Sequence, residues 1–553
     1  MIATPRRVAA VFAVLLAAPL SATARDAGGQ DHSHAHAAGE KLGTVDFPVS
    51  CSTEAAAAFT RATALLHSFG YEEARRAFED VARKDPRCGM AQWGIAMTYY
   101  HPIWAPPPAA DLAAGKAAAE KAATLGAGTD RERAYIAAIG AYYAGPDPRA
   151  RAEAFHVAMA DVARRFPADD EAAIFHALTL LATAPPSDAT FARQKEAARV
   201  LNGLLPRHPD HPGIAHYVIH SFDYPALASD ALPAARAYAK IAPASPHALH
   251  MPSHIFTRLG LWPESITSNI ASAEAARRLV AAAHPGATAF DEMHALDYLE
   301  YAYLQMDDEA KAKAILADVA KAKTFDEPNF AAAYALAAVP ARWALERRDW
   351  KAAAALDPPA LALPWEQYPY VAGITDYARA IGAARSGQAA VARAALVRLE
   401  ELEARLAKAP PAGPYDWAGH VKATRLAGAG ILARAEGRDA EALDLLRAAA
   451  DLDEKTGKHP VTPGTILPPR ELLAEVLLET NHPADALAAY EAALREAPDR
   501  LNSLAGASRA AEGAGKAARA AELRARLVEI TVPGAQRAEV VEARQSLGAK
   551  RTY

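Results

Sequence analysis

The chain has 553 residues, of which 52% are hydrophobic and 7% aromatic, and alanine supplies much of the apolar share. This length exceeds one compact core and predicts several domains or a repeat array. Alanine is the best helix former, so the composition favours an all-helical fold with close helix contacts. The formal net charge of −5 argues against a nucleic-acid-binding protein, which would carry a basic face.

Residues 1–24 have the composition of a secretory signal peptide. Arg6 and Arg7 are basic, residues 8–20 are apolar, and an A-x-A cleavage site occupies residues 22–24. The alternative, an uncleaved membrane helix, is disfavoured because the apolar run is shorter than the ~18 residues expected of a spanning helix. We therefore expect a periplasmic or secreted protein with no integral membrane segment after signal removal.

Residues 25–50 show no helical period and are expected to form a flexible lead-in. His32, His34 and His36 alternate with other residues in this segment. Such a tract can capture copper, nickel or zinc weakly. A solvated linker without bound metal is the alternative.

The two cysteines, Cys51 and Cys88, flank two predicted helices over about 54–69 and 72–84. In an antiparallel helical hairpin those two ends are neighbours, as a disulfide requires. An exported protein also meets an oxidising compartment, where cysteine pairs tend to close. We predict a Cys51–Cys88 disulfide in preference to two free thiols.

Small, bulky and proline residues recur along the chain at fixed spacings that suit a helix–turn–helix repeat. The sets are Ala74, Phe78, Val81 and Pro86; Ala486, Tyr490, Ala493 and Pro498; and Ala442, Leu446 and Ala449. A period of 34 residues also separates two histidine pairs, His216/His220 and His250/His254. With these residues and this period, the chain resembles the tetratricopeptide-repeat superfamily over most of residues 51–530. The resemblance implies an all-α solenoid of helical hairpins stacked in a right-handed superhelix.

Two His-x-x-x-His pairs, His216/His220 and His250/His254, recur after one period of 34 residues. Residues i and i+4 share a helix face, and equal positions in successive repeats sit side by side. The four imidazoles should therefore form a patch on the first helices of two adjacent units. His294 falls on the next such helix.

Imidazoles from adjacent helices can converge on one ion, because the helices pack ~8–10 Å apart and a metal–nitrogen bond is ~2.1 Å. Imidazole suits copper, zinc, iron and nickel. We predict a transition-metal site whose ligands are His216, His220, His250, His254, His294 and Asp297. Further candidates for the same groove are His101, His176, His247 and Asp223.

The proline-rich piece at 356–364 suggests a boundary between an N-terminal superhelix, residues 51–355, and C-terminal repeats, residues 356–553. The segment 456–472 is long and proline-rich for a repeat connection. It is interpreted as a structured linker, with closure over the groove as the alternative.

The segments "HYVIHSFDYP", "HMPSHIFTRLGLWPES", "LLHSFGYEEA" and "KHPVTPGTILPPREL" resemble a group of exported bacterial tetratricopeptide-repeat proteins with histidine-rich repeats. This resemblance supports the fold and the export and implies no catalytic residue.

The favoured function is metal binding in the concave groove, with enzymatic action on a groove-bound substrate left open. One alternative is a non-enzymatic scaffold whose histidines contact a peptide, a protein or a small molecule, with no nucleic acid involved. Metal storage or delivery is a second alternative, and it would use the tail histidines.

Overall fold

The computed structural model describes residues 40–103, 106–186, 188–327, 329–409 and 415–549. The predicted signal peptide and the histidines of the lead-in lie outside these residues. Apart from one isolated β-bridge between Thr288 and Phe325, the described residues form helices, turns and loops. The predicted all-α class is therefore confirmed.

The first half of the described chain consists of successive helices. They are α1 Thr53–His67, α2 Tyr71–Lys84, α3 Gly89–Thr98, α4 Ala109–Leu125, α5 Asp130–Ala144, α6 Pro148–Arg165, α7 Asp170–Ala182, α8 Ala192–Leu204, α9 Pro212–Phe222, α10 Leu232–Ile241, α11 Pro246–His250, α12 Pro252–Arg258 and α13 Trp262–Ala283.

The second half continues in the same manner, with long connections before α18 and before α22. Its helices are α14 Phe290–Gln305, α15 Glu309–Val319, α16 Phe330–Glu346, α17 Trp350–Ala354, α18 Val371–Arg385, α19 Ala389–Lys408, α20 Trp417–Ala435, α21 Asp439–Thr456, α22 Pro469–Glu479, α23 Pro483–Glu496, α24 Leu501–Gly513, α25 Ala517–Ile530 and α26 Ala538–Ala549.

Glycines at helix crossings admit the aromatic residues that the repeat pattern predicts. A Cβ atom on Gly94 would lie 2.3 Å from the ring of Phe78, and one on Gly506 would lie 2.2 Å from the ring of Tyr490. Both rings are fully buried. Any larger residue at either glycine would separate the two helices, so close approach of the backbones is built into the sequence.

Helices pack on their neighbours in the chain, and many also pack on the helix after next. α1 contacts α2 and α3, α7 contacts α8 and α9, and α14 contacts α15 and α16. This nearest-neighbour packing is that of an α-solenoid, in which each unit buries its apolar face against the adjoining one.

Two long-range contacts depart from nearest-neighbour packing. α1 also packs on α9, and α24 packs on α14. The backbone N–H of Leu501 donates to the side-chain oxygen of Gln305 at 3.0 Å, which fixes the second contact. Elements far apart in sequence are therefore brought to α9 and α14.

The two largest buried apolar clusters divide, along the chain, between α12 and α13. One runs from Leu42 to Phe256, and the other runs from Trp262 to Ala543. Leu345 and Val371, on either side of the predicted boundary at residue 356, belong to the same cluster. The division at 356 stays a prediction.

Cys51 and Cys88 form a disulfide across the first hairpin, with their Cα atoms 5.1 Å apart. Cys51 precedes α1 and Cys88 precedes α3, which is the proximity that the sequence predicted. None of the helices in the described part of the chain is long and apolar enough to cross a bilayer.

Removing the disulfide should loosen the first hairpin. In a Cys51→Ser, Cys88→Ser variant we expect local opening of α1–α3 to become easier by about 2–4 kcal/mol, because a cross-link over 37 residues restricts the open chain. Amide hydrogen exchange in α1–α3 measures this. Reduced wild type should match the variant, and unchanged protection in both would contradict the prediction.

Candidate metal centre

Three consecutive repeat units supply the predicted histidines. His216 and His220 lie on α9, His250 ends α11, His254 lies on α12, and His294 lies on α14. The sequence predicted one helix for His250 and His254, but Pro252 interrupts it because proline has no N–H to donate. Met251 keeps right-handed helical dihedral angles, so the two histidines still point the same way.

His250, His254 and His294 form a buried cluster, named here the α14 triad. The Nε2 atoms of His250 and His254 are 3.0 Å apart. The ring centroids of His250 and His294 are 4.0 Å apart, and the Nε2 of His294 has no hydrogen-bond partner among the described residues. One nitrogen from each ring lies within 4.8 Å of the others.

The outer nitrogens of two of these rings are engaged with fixed acceptors. The Nδ1–H of His254 donates to the carboxylate of Asp223 at 3.0 Å. The Nδ1–H of His250 donates to the amide oxygen of Asn269 at 2.6 Å. The Asn269 orientation is set by its own amide N–H, which donates to the Ser265 carbonyl at 2.8 Å. Both Nε2 atoms therefore carry lone pairs, and the lone pairs face each other.

His216, His220 and His247 form a second cluster, named here the α9 triad. The Nε2 of His216 lies 3.0 Å from that of His220 and 3.1 Å from that of His247. The Nδ1–H of His216 donates to the backbone carbonyl of His67 at 2.7 Å, so its Nε2 also carries a lone pair. His247, a secondary candidate from the sequence, is thus brought together with His216 and His220.

Phe69 closes the α9 triad on the α1 side. Its ring centroid lies 4.3 Å from that of His216 and 5.7 Å from those of His220 and His247. Phe69 has a φ of 55°, in the left-handed region that a bulky residue adopts at an energetic cost. Such strain is maintained only where the surrounding structure enforces it.

The two triads adjoin each other, and together they are called the histidine centre. Ring centroids of His220 and His254 are 6.5 Å apart, and those of His247 and His250 are 6.4 Å apart. Six imidazoles from α9, the segment 246–258 and α14 therefore share one region of the interior.

Burial lowers the pKa of all six imidazoles from the ordinary value of 6.5, and neighbouring histidines lower most of them further. The ring of His216 is fully buried and that of His254 is 1% exposed. Neutral imidazoles have lone pairs available for a metal ion, because a ligand must be deprotonated to bind.

Asp223 is the anion beside the centre. Burial favours its neutral form, but the charges of Lys458 and Arg258 and the hydrogen bond from His254 hold its pKa well below its usual range. Arg258 Nε donates to it at 2.9 Å and Lys458 Nζ at 3.1 Å. The Asp223 carboxylate is therefore ionised and accepts from three side chains.

The segment 457–468, named here the capping loop, reaches the α14 triad. The Tyr298 hydroxyl lies 3.3 Å from Nδ1 of His254 and donates to the Thr462 carbonyl at 3.1 Å. Lys458, at the start of the loop, is only 5% exposed, and burial lowers its pKa to about 8. The capping loop thus contacts the partners of His254, as the sequence analysis allowed.

A third histidine group, His67 with Glu171 and His211, has a different character. His67 Nε2–H and His211 Nε2–H donate to the two carboxylate oxygens of Glu171 at 3.0 and 2.8 Å. The Tyr217 hydroxyl donates to His67 Nδ1 at 2.9 Å. The nitrogens that face the carboxylate donate hydrogen bonds to it, so this group ties α1 and α7 to α9.

The remaining predicted residues have partners outside the two triads. The carboxylate of Asp297 contacts the buried guanidinium of Arg342, which takes the role that an ion would have. His176 stacks on His156 with centroids 5.3 Å apart. His101 stacks on Tyr71 at 4.3 Å, and Tyr71 stacks on Phe69, so His101 ends an aromatic row that starts at the α9 triad.

Several residues of the site carry no signal in the sequence. Asn269 stands in the middle of α13, Tyr298 reads as an ordinary helix residue, and Lys458 is one lysine among many. Their roles arise from contacts between distant segments, such as the 235 residues that separate Lys458 from Asp223.

No family model matches the sequence, and no curated protein matches it. Solved structures similar to the chain include yeast Tom70, at 11% identity over 90% of this chain and 96% of that chain, with a TM-score of 0.34. Another is the human IFIT1 dimer with m7Gppp-AAAA, at 12% identity over 88% and 91%, with a TM-score of 0.38. With TM-scores below 0.5, these likenesses carry no inference about function.

The Glu171 bridge should support the α9 triad through His67. In Glu171→Gln one imidazole faces an amide N–H instead of an oxygen, so we expect a loss of stability of about 1–3 kcal/mol. Thermal unfolding at pH 7 measures it. Glu196→Gln, at a surface pair with Arg199, is the control and should change little.

The same bridge has a defined pH dependence. Burial alone would raise the pKa of Glu171, but His211 and His67 outweigh it and lower this pKa from the ordinary value of 4.5. The bridge therefore contributes fully to the stability of the folded protein above about pH 4.5. This contribution is lost as the pH falls towards the pKa of Glu171 in the folded protein. The difference between wild type and Glu171→Gln should shrink in acid, and a difference that grows there would contradict this assignment.

Proposed function

We propose that the protein binds a transition-metal ion in the α14 triad. The observation that carries the proposal is the 3.0 Å separation of two Nε2 lone pairs, on His250 and His254, whose Nδ1–H groups are both donated outwards. Two facing lone pairs repel unless a cation lies between them. In a tetrahedral zinc site with ~2.1 Å bonds, ligand nitrogens are ~3.4 Å apart, close to the separation found.

A proton shared between the two rings is the simplest competitor for the metal. It would join the Nε2 atoms of His250 and His254 but leave the Nε2 of His294 without a partner. A metal ion held by three neutral nitrogens explains the arrangement of all three rings, including the unpartnered Nε2 of His294.

The ligand set indicates the class of ion and site. Three imidazoles without thiolate suit zinc, copper or iron. Three protein ligands leave a fourth position for water or substrate, as in catalytic rather than structural zinc sites. Asp223 acts on His254 from the outer side, where a carboxylate fixes the ring orientation and raises ligand basicity.

The alternative of an open peptide groove is less well supported at these residues. Five of the six histidines are buried and the sixth, His247, is half-buried. An extended peptide would have to displace the capping loop to reach His254. Metal storage or delivery remains compatible with a closed centre, and a helical-repeat scaffold can bind a partner elsewhere on its surface.

Export to an oxidising compartment is part of the proposal. The signal-peptide pattern of residues 1–24 and the Cys51–Cys88 disulfide support it. The ion would then be acquired outside the cytoplasm.

Substitution of a ligand and of its outer partner should affect metal affinity differently. Asp223→Asn should weaken binding ~10–100-fold, as expected for an outer partner, and His254→Ala should weaken it more. Titration of metal-free protein with Zn²⁺ and Cu²⁺, followed by calorimetry, measures both.

His420→Ala is the matched control, because His420 contacts Tyr415 outside the triads. It should bind as wild type does. Full affinity in His254→Ala would contradict the assignment of the α14 triad, and absence of any bound ion in wild type would leave a scaffold without a metal centre.

A further inference from the structure

The α9 triad has the same geometric signature as the α14 triad but is formed by different elements. His216 Nε2 carries a lone pair, since its Nδ1–H donates to the His67 carbonyl. That one lone pair is approached by two further Nε2 atoms, at 3.0 Å from His220 and 3.1 Å from His247. A single lone pair can accept one well-formed N–H hydrogen bond, so two such approaches exceed its capacity.

Convergence of three imidazole nitrogens is the arrangement that a metal ion requires. The three Nε2 atoms come from two helices, α9 and α11. In the His67–Glu171–His211 group, by contrast, the Nε2–H groups donate to a carboxylate.

We propose that the α9 triad binds a second transition-metal ion, so that the histidine centre is dinuclear. This inference rests on the proposed function and extends it to a second site. The ligands of the second ion are His216, His220 and His247. The ring of His220 lies 6.5 Å from that of His254, and the ring of His247 lies 6.4 Å from that of His250. Both ions therefore occupy one shared region of the interior.

Two metal ions in adjoining triads can act together, whereas two ions at unrelated sites act separately. Paired metal ions can bind the two ends of one small ligand or activate water between them. The histidine centre is therefore expected to bind two divalent copper or zinc ions. The open coordination position of each ion would be available to the same small molecule.

The stoichiometry of the full chain tests the proposal. Chelator-treated protein is loaded with Cu²⁺, and bound copper is counted by elemental analysis. To remove the lead-in histidines from the count, all variants are made with His32→Ala, His34→Ala and His36→Ala. We expect two ions per chain in this background, one after His216→Gln and one after His294→Ala, with two retained after His420→Ala.

His216→Gln retains a side-chain N–H that can reach the His67 carbonyl, so it limits damage to the fold. His247→Ala is the second variant of the same triad and changes a half-buried residue. Electron paramagnetic resonance of the doubly loaded protein adds a measure of proximity. Spin–spin coupling should be present in the background protein and lost in each single-triad variant.

The failure of this inference is distinguishable from failure of the proposed function. One ion in the background protein, lost in His294→Ala and kept in His216→Gln and His247→Ala, overturns the second site alone. Two ions that both survive His216→Gln and His247→Ala, or two ions without spin coupling, also overturn it. No bound ion under any loading overturns both proposals.

Discussion

The histidine centre depends on hydrogen bonds made on the outer side of its rings. A histidine becomes a competent ligand when one nitrogen is held as a donor, because the other then keeps its lone pair. His216, His250 and His254 are held in this way by a backbone carbonyl, an amide and a carboxylate. Three chemically different acceptors thus produce the same result, an Nε2 lone pair directed at neighbouring rings.

Those acceptors come from segments that the repeat architecture brings together. The His67 carbonyl ends α1, Asn269 belongs to α13, and Asp223 follows α9. Packing of α1 on α9 is a contact between distant units, and it is reinforced by Tyr217 and Glu171 around His67. The solenoid therefore supplies the acceptors as well as the rings, and loss of one unit would disturb a histidine on another.

The sequence predicts much of the fold because the repeat pattern is local. The positions of Phe78 and Tyr490 follow from spacing alone, and so does the juxtaposition of the two histidine pairs. His247 lies three residues before His250 on α11, and this spacing also places His247 in the histidine centre. What spacing cannot predict is which polar partner each carboxylate takes, and Asp297 lies against Arg342 because α16 packs on α14.

Asp223 connects the orientation of His254 with the position of the capping loop. Its carboxylate accepts from His254, from Arg258, and from Lys458 of the capping loop. Displacement of the capping loop would separate Lys458 from this carboxylate. Loss of the lysine contact leaves Asp223 with a stronger hold on the Nδ1–H of His254, because one competing cation is gone. Opening of the capping loop and the basicity of His254 are therefore coupled through one side chain.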